Sequence, residues 1–312
     1  MDPWPQHIED LLLQHWPRES WRDRQGASKR SLQVNLSQWS MTTIPPEIWQ
    51  QIWQLPNLRK LEIASHLLTT VPPQIAHLTH LQKLGLFGEL ATFPSAIGQL
   101  PNLRDLGVSG TFPTFPLAIT RLINLRKLGV FGRFTELPAE IGQLTNLQDL
   151  LLSGDFINAP RQGKQYLSGQ LTTLPLQFGK LINLRKLRLT GQFTSFPSVL
   201  VHLTNLQELH LQSQLTVLPP EIGRLVNLQV LKLHLNWLTA LPAEIGQLTS
   251  LRVLGLFDNQ LSTVPPEIGQ LTHLQELDLG NNPLTALPPE IEHLPHLSIS
   301  TKSALKQFIT PL

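Results

Sequence analysis

A chain of 312 residues with 15% charged residues and a formal net charge of +2 has no polyelectrolyte character, so nucleic acid and anionic membrane surfaces are not expected partners. The absence of cysteine excludes disulfide-stapled caps, thiol catalysis and cysteine-ligated zinc. The length exceeds that of a usual single-core domain, which favours an architecture that grows by repetition.

Residues 1–30 differ from everything that follows. Asp2-Pro3 can open a helix, and Ile8, Leu11, Leu12 and Trp16 then share one helical face. Six of the seven tryptophans (Trp4, Trp16, Trp21, Trp39, Trp49, Trp53) precede residue 54, which suits an aromatic N-terminal cap. A tryptophan-lined ligand site is the rival reading. Asp2, Glu9 and Asp10 surround only a three-leucine run, so the segment is no secretory signal, and no stretch approaches transmembrane length. The expectation is a soluble, cytoplasmic monomer, with signal-free secretion also compatible.

The first repeat is degenerate, with Val34 and Leu36 read as its strand and Ile44-Pro45-Pro46-Glu47 opening a helix. Strand-opening leucines then fall at 58, 81, 103, 125, 147, 184, 206, 228, 251, 274 and 297. Leu251 to His273, LRVLGLFDNQLSTVPPEIGQLTH, shows the unit most clearly. Its Leu254-x-Leu256 suits a short strand, Asn259 ends it, and Pro265-Pro266-Glu267 opens a short helix or 3₁₀ turn. No copy can bury its own apolar face, so stacking is obligatory.

This pattern, L-x-x-L-x-L-x-x-N-x-L-x-x-x-P-x-E-I-G-x-L, resembles the leucine-rich repeat in its 22–23-residue intracellular form, from about Ser31 to Ile299. The resemblance implies an α/β fold, a right-handed solenoid or horseshoe. One parallel sheet would line the concave side and short helices or 3₁₀ turns the convex side. Residues 300–312, with Leu305 and Phe308 turned inward, are expected to cap the C-terminus.

Two departures from the pattern stand out. Asn236, Asn259 and Asn282 keep the asparagine, whereas the 22-residue copies turn at Gly88, Gly110, Gly132, Gly154 and Gly191. The spacing from Leu147 to Leu184 is 37 residues, and LSG at 152–154 recurs at 167–169, so 155–169 reads as an inserted rim loop. It holds Arg161, Lys164 and Tyr166.

Residues between and just after the strand leucines line the concave face. These positions give an apolar N-terminal half with Phe87, Phe131 and Leu151, and a C-terminal half with Arg188, His210, Lys232, His234 and Phe257. Charges at Lys83, Asp105, Lys127, Asp149, Lys186 and Glu208 alternate along the stack as an ion ladder. The basic residues off the ladder are therefore the better binding candidates.

No P-loop, metal triad or paired acid and base is present, and no metal or cofactor is expected. The expected function is non-enzymatic recognition of a protein or peptide, with an apolar segment followed by acidic residues, by the concave face and rim loop. A scaffold, adaptor or effector role fits equally. The alternative is the substrate-recruiting domain of a larger enzyme, such as a bacterial ubiquitin ligase.

Overall fold

The computed structural model describes residues 31–35, 46–53, 55, 57–65, 68–154 and 169–300. The expected cap at 1–30, the excursion at 155–168 and the closing segment at 301–312 lie outside the described residues.

Twelve strands form one parallel sheet in strict sequence order. They are β1 (Ser31–Asn35), β2 (Lys60–Ala64), β3 (Lys83–Leu90), β4 (Asp105–Gly110), β5 (Lys127–Phe131) and β6 (Asp149–Ser153). There follow β7 (Lys186–Thr190), β8 (Glu208–Gln212), β9 (Val230–Lys232), β10 (Val253–Gly255), β11 (Glu276–Asp278) and β12 (Ser298–Ser300). The first return is an α-helix, α1 (Pro46–Trp53), and the described later returns are five-residue 3₁₀ turns such as Pro73–His77 and Ala243–Gln247.

The returns are short because the sequence gives each one a proline entry and a single inward isoleucine or its equivalent. Pro72, at φ −61°, enters the turn at Pro73–His77, and the Leu78 amide closes it on the Ile75 carbonyl at 3.1 Å. Ile75, Ile97, Ile141 and Ile245 are each fully buried beneath the sheet. The strand leucines meet them from the other side: Leu61, Leu84, Leu128, Leu150, Leu209 and Leu254 are at or near zero exposure. Each coil thus buries its apolar side only against its neighbours.

The register settles three points. In β1, Leu32 pairs with Leu61 and Val34 with Ile63, so Leu32 and Val34, rather than Val34 and Leu36, hold the register of the strand leucines. At the other end Glu276 pairs with Ser298, which closes the last repeat at 22 residues rather than the 23 that an opening at Leu297 implies. Across the insertion, Asp149 pairs directly with Lys186. The sheet therefore continues unbroken from β6 to β7. Gly169 then resumes the coil against the Thr190 carbonyl, and Leu171 is buried in it.

Trp49 and Trp53 stack on α1 with ring centroids 5.1 Å apart, and Trp49 belongs to the core of the first coil. These two tryptophans are packing groups. The other four of the N-terminal set lie outside the described residues.

The two kinds of turn are built differently. Asn259 is buried, its Oδ1 accepting the Leu238 amide at 3.0 Å while its Nδ2 donates to the carbonyls of Leu233 and Leu256 at 2.9 and 3.0 Å. Asn236 and Asn282 repeat the scheme. The residue before each, Leu235, Asp258 and Asn281, takes a left-handed φ of 54 to 58°, which ends the strand after three residues.

Glycine coils have no such ladder and instead close up on the preceding coil. A Cβ on Gly110 would stand 2.3 Å from the Leu90 carbonyl, and one on Gly191 2.4 Å from that of Leu171. The volume is filled from inside by buried Phe112, Phe134 and Phe193. Edge-to-face pairs Phe93–Phe112 and Phe115–Phe134, at 6.2 and 5.5 Å, join these rings to the next layer.

Candidate functional site

The solvent-facing side of the sheet is organised by its central row. Pairing places Glu62, Gly85, Gly107, Gly129, Leu151, Arg188, His210, Lys232, Gly255 and Asp278 side by side on successive strands. Leu151, Arg188, His210 and Lys232 are thus consecutive neighbours across the 37-residue gap. The face has an apolar, glycine-floored part over β3–β5, a leucine at β6, a cationic part over β7–β9, and an acid at β11.

The aromatic side chains do not project as free anchors. Phe87 is half-buried and lies across the floor: a Cβ on Gly107 would come within 2.8 Å of its Cζ, and one on Gly85 within 3.0 Å of its Cε2. Phe131, also half-buried, leans over Gly129 of its own strand, where a Cβ would sit 3.8 Å from its Cε2. His234 covers Gly255 and Phe257 covers Gly280 in the same way. The glycines create the notches and the rings fill them.

The cationic part also differs from its expectation. Arg188 is off the ladder by position, yet Glu208 on β8 reaches both Lys186, at 2.5 Å, and Arg188, at 3.7 Å. Glu208 sits two residues along from the central row on the same face, within reach of a long guanidinium stem. Its carboxylate is shared, the Arg188 side chain stays 43% exposed, and the Arg188 Nε has no hydrogen-bond partner among the described residues. Lys232 forms no ion pair among the described residues. The ion ladder itself closes at Lys83–Asp105, 3.1 Å, and at Lys186–Glu208.

Neither histidine contributes charge near neutral pH. Burial, with Lys232 and Arg188 on either side, pushes His210 down to about 4, only partly opposed by Glu208. Burial also lowers His234, against the pull of Asp278, and its Nδ1 accepts the Phe257 amide at 3.2 Å. An accepting Nδ1 places the ring proton of the neutral form on Nε2. The positive charge of the face therefore rests on Arg188 and Lys232, with a neutral His210 between them.

Arg161, Lys164 and Tyr166 lie outside the described residues. In the chain they follow β6, whose central-row residue is Leu151.

One arrangement escaped the sequence reading. Asn102, Asn124, Asn146, Asn183, Asn205 and Asn227 each donate from Nδ2 to a carbonyl of the preceding coil, at 2.8 to 3.0 Å. They form an exposed ladder along the edge where the strands begin. The signal was the Asn-Leu pair that opens each of these six repeats. Arg104 and Arg126 join this row around a cavity of about 230 Å³.

A family model described as leucine-rich repeats (two copies) matches residues 249–297. A search of curated protein sequences returns no significant match. Among solved structures, an internalin (inlF) from Listeria monocytogenes is similar at 21% identity and a TM-score of 0.66, over 81% of this chain and 69% of that one. The Arabidopsis receptor kinase HAESA, in complex with the peptide hormone IDA and the co-receptor SERK1, is similar at 25% identity and a TM-score of 0.68, over 89% of this chain and 46% of that one. The plant peptide hormone receptor RGFR1, in complex with RGF2, matches at 23% identity and a TM-score of 0.60, over 90% and 51%. The chain spans about half the length of these two receptor chains. Repeat, sheet and neighbours together give the chain the leucine-rich-repeat fold, with its single parallel sheet and short 3₁₀ returns.

Proposed function

We propose that the chain is a non-enzymatic recognition module that binds a protein or peptide across the exposed face of the sheet. The partner carries an apolar segment followed by acidic residues. The observation that carries this reading is the unbroken row Leu151–Arg188–His210–Lys232, which sets an apolar, ring-floored half directly beside two cations. The glycine-floored half offers a flat surface for apolar side chains, and Arg188 and Lys232 offer charge to acids one or two strands further on. One of the similar proteins is described in complex with a peptide hormone and another as a peptide hormone receptor, which supports a peptide-binding use of this fold. Leu151, Phe87, Phe131 and Phe257 are the proposed apolar contacts; Arg188, Lys232 and the hydrogen-bonding His210 and His234 are the polar ones. The loop at 155–169, through Arg161, Lys164 and Tyr166, is proposed to contribute to binding.

Selection of ligands from a random peptide display library tests this. Enriched peptides should pair apolar with acidic stretches and lose binding to the double variant R188E/K232E. Enrichment of basic peptides, or of ligands that bind the variant equally well, contradicts it.

A further inference from the structure

The edge of the sheet where the strands begin carries a row in which one residue follows each opening leucine. Backbone hydrogen bonds fix its register: the Arg104 amide donates to Gln82, Arg126 to Arg104, Gln148 to Arg126, Arg185 to Gln148, and Gln207 to Arg185. The row contains only arginine and glutamine from Arg59 to Gln275. Glutamine at 82, 148, 207, 229 and 275 shows that the fold does not require a cation there.

Two arginines occupy neighbouring coils at only one step of this row, Arg104 and Arg126, and the cavity of about 230 Å³ opens there. Its lining is those two residues with Asn102, Asn124 and Asn146. No carboxylate lines it, and neither arginine forms an ion pair among the described residues. The nearby acid Asp105 is held by Lys83 at 3.1 Å. The backbone carbonyls of Arg104 and Arg126 are committed to the amides of the next coil. The asparagine carboxamides are fixed from behind by their Nδ2 bonds to Thr79, Pro101 and Ile123.

Adjacent coils stand about 4.8 Å apart, so two guanidinium groups share one notch at a cost in repulsion that a glutamine would avoid. We propose that this notch is an oxyanion site that takes a phosphate monoester. A dianion neutralises both guanidiniums, each of which can give it paired N–H bonds, whereas a carboxylate or a phosphodiester brings one charge to two cations. The site lies on the strand-start edge, away from Leu151 and Lys232, and does not depend on the peptide-binding reading of the face.

Isothermal titration with O-phosphoserine, acetate and dimethyl phosphate tests it, on the full chain and on R104Q, R126Q and R185Q. The row already accommodates glutamine, so all three variants should unfold at the parent midpoint. O-phosphoserine should bind the parent, and R104Q and R126Q should each weaken it about ten-fold or more. R185Q, in the same row between Gln148 and Gln207, should leave it unchanged. Equal loss in R185Q, no loss in R104Q and R126Q, or acetate or dimethyl phosphate binding as tightly as O-phosphoserine would each overturn the proposal. A peptide centred on phosphoserine separates the two sources of the group. Tighter binding than O-phosphoserine supports a phosphorylated partner, and equal binding supports a free phosphate compound.

Discussion

The Phe87 ring lies over Gly107 so closely that a Cβ on the glycine would meet its Cζ at 2.8 Å. Gly129 occupies the same row one strand on, but a Cβ there would sit 3.8 Å from Phe131, an ordinary contact. Alanine at the two sites should therefore act oppositely. G107A must displace the Phe87 ring and should cost about 1 kcal/mol. G129A should be neutral or slightly stabilising, because it lowers unfolded-chain entropy without a clash. Denaturant unfolding of the two variants checks this, and equal destabilisation would show that the rings do not rest on the glycines.

The asparagine ladder should hold more stability per residue than the hydroxyl that stands in for it. N259A leaves the Leu238 amide and the Leu233 carbonyl buried without their partner and should cost about 2 to 4 kcal/mol. Ser213 occupies the corresponding turn two coils earlier, just before the ladder begins, and gives one bond, to the Phe193 carbonyl at 3.1 Å, so S213A should cost about 1 kcal/mol. Comparison of the two thermal midpoints reads the difference, and a larger loss in S213A would refute the ladder's role.

His210 gives the face an acid-sensitive limb. Its imidazole titrates near 4 in the fold, against about 6.5 in an unfolded chain, so between those values the unfolded state binds more protons. Stability is full above pH 6.5 and is lost as pH falls toward 4. Half-exposure and solvent screening hold the loss to on the order of 1 kcal/mol. Unfolding measured at pH 4 and at pH 7 should show a smaller gap for H210Q than for the parent. An unchanged gap would show that neither burial nor the flanking cations act on this ring.

The repeat was legible because strand leucines two apart and a proline-entered return leave little freedom in where each coil begins. β1 was misread because Leu32, Val34 and Leu36 alternate without a break. A slip of two residues keeps the same side chains inward, and only pairing with β2 decides between the registers. The central row was legible for the same reason that the strands were. What the sequence could not convey was lateral reach. Glu208 belongs to the ladder by position, yet its carboxylate lies 3.7 Å from Arg188 in the next row. Phe87 lies down across Gly107 rather than standing up from the sheet. The asparagine row at the strand-start edge was hidden because a recurrent exposed Asn looks like solvated consensus until its carbonyl partner in the previous coil is seen.

The central claim is that a partner binds across the sheet face between the ring-floored half and the cations, and binding kinetics test it most directly. With a peptide selected on the parent protein, R188E/K232E should slow association and flatten its dependence on salt. L151A and F87A should chiefly hasten dissociation, and all of these variants should remain folded. If they bind with parental rates while deletion of Asp155 to Gly169 abolishes binding, the partner sits on the rim loop and the assignment of the sheet face is contradicted.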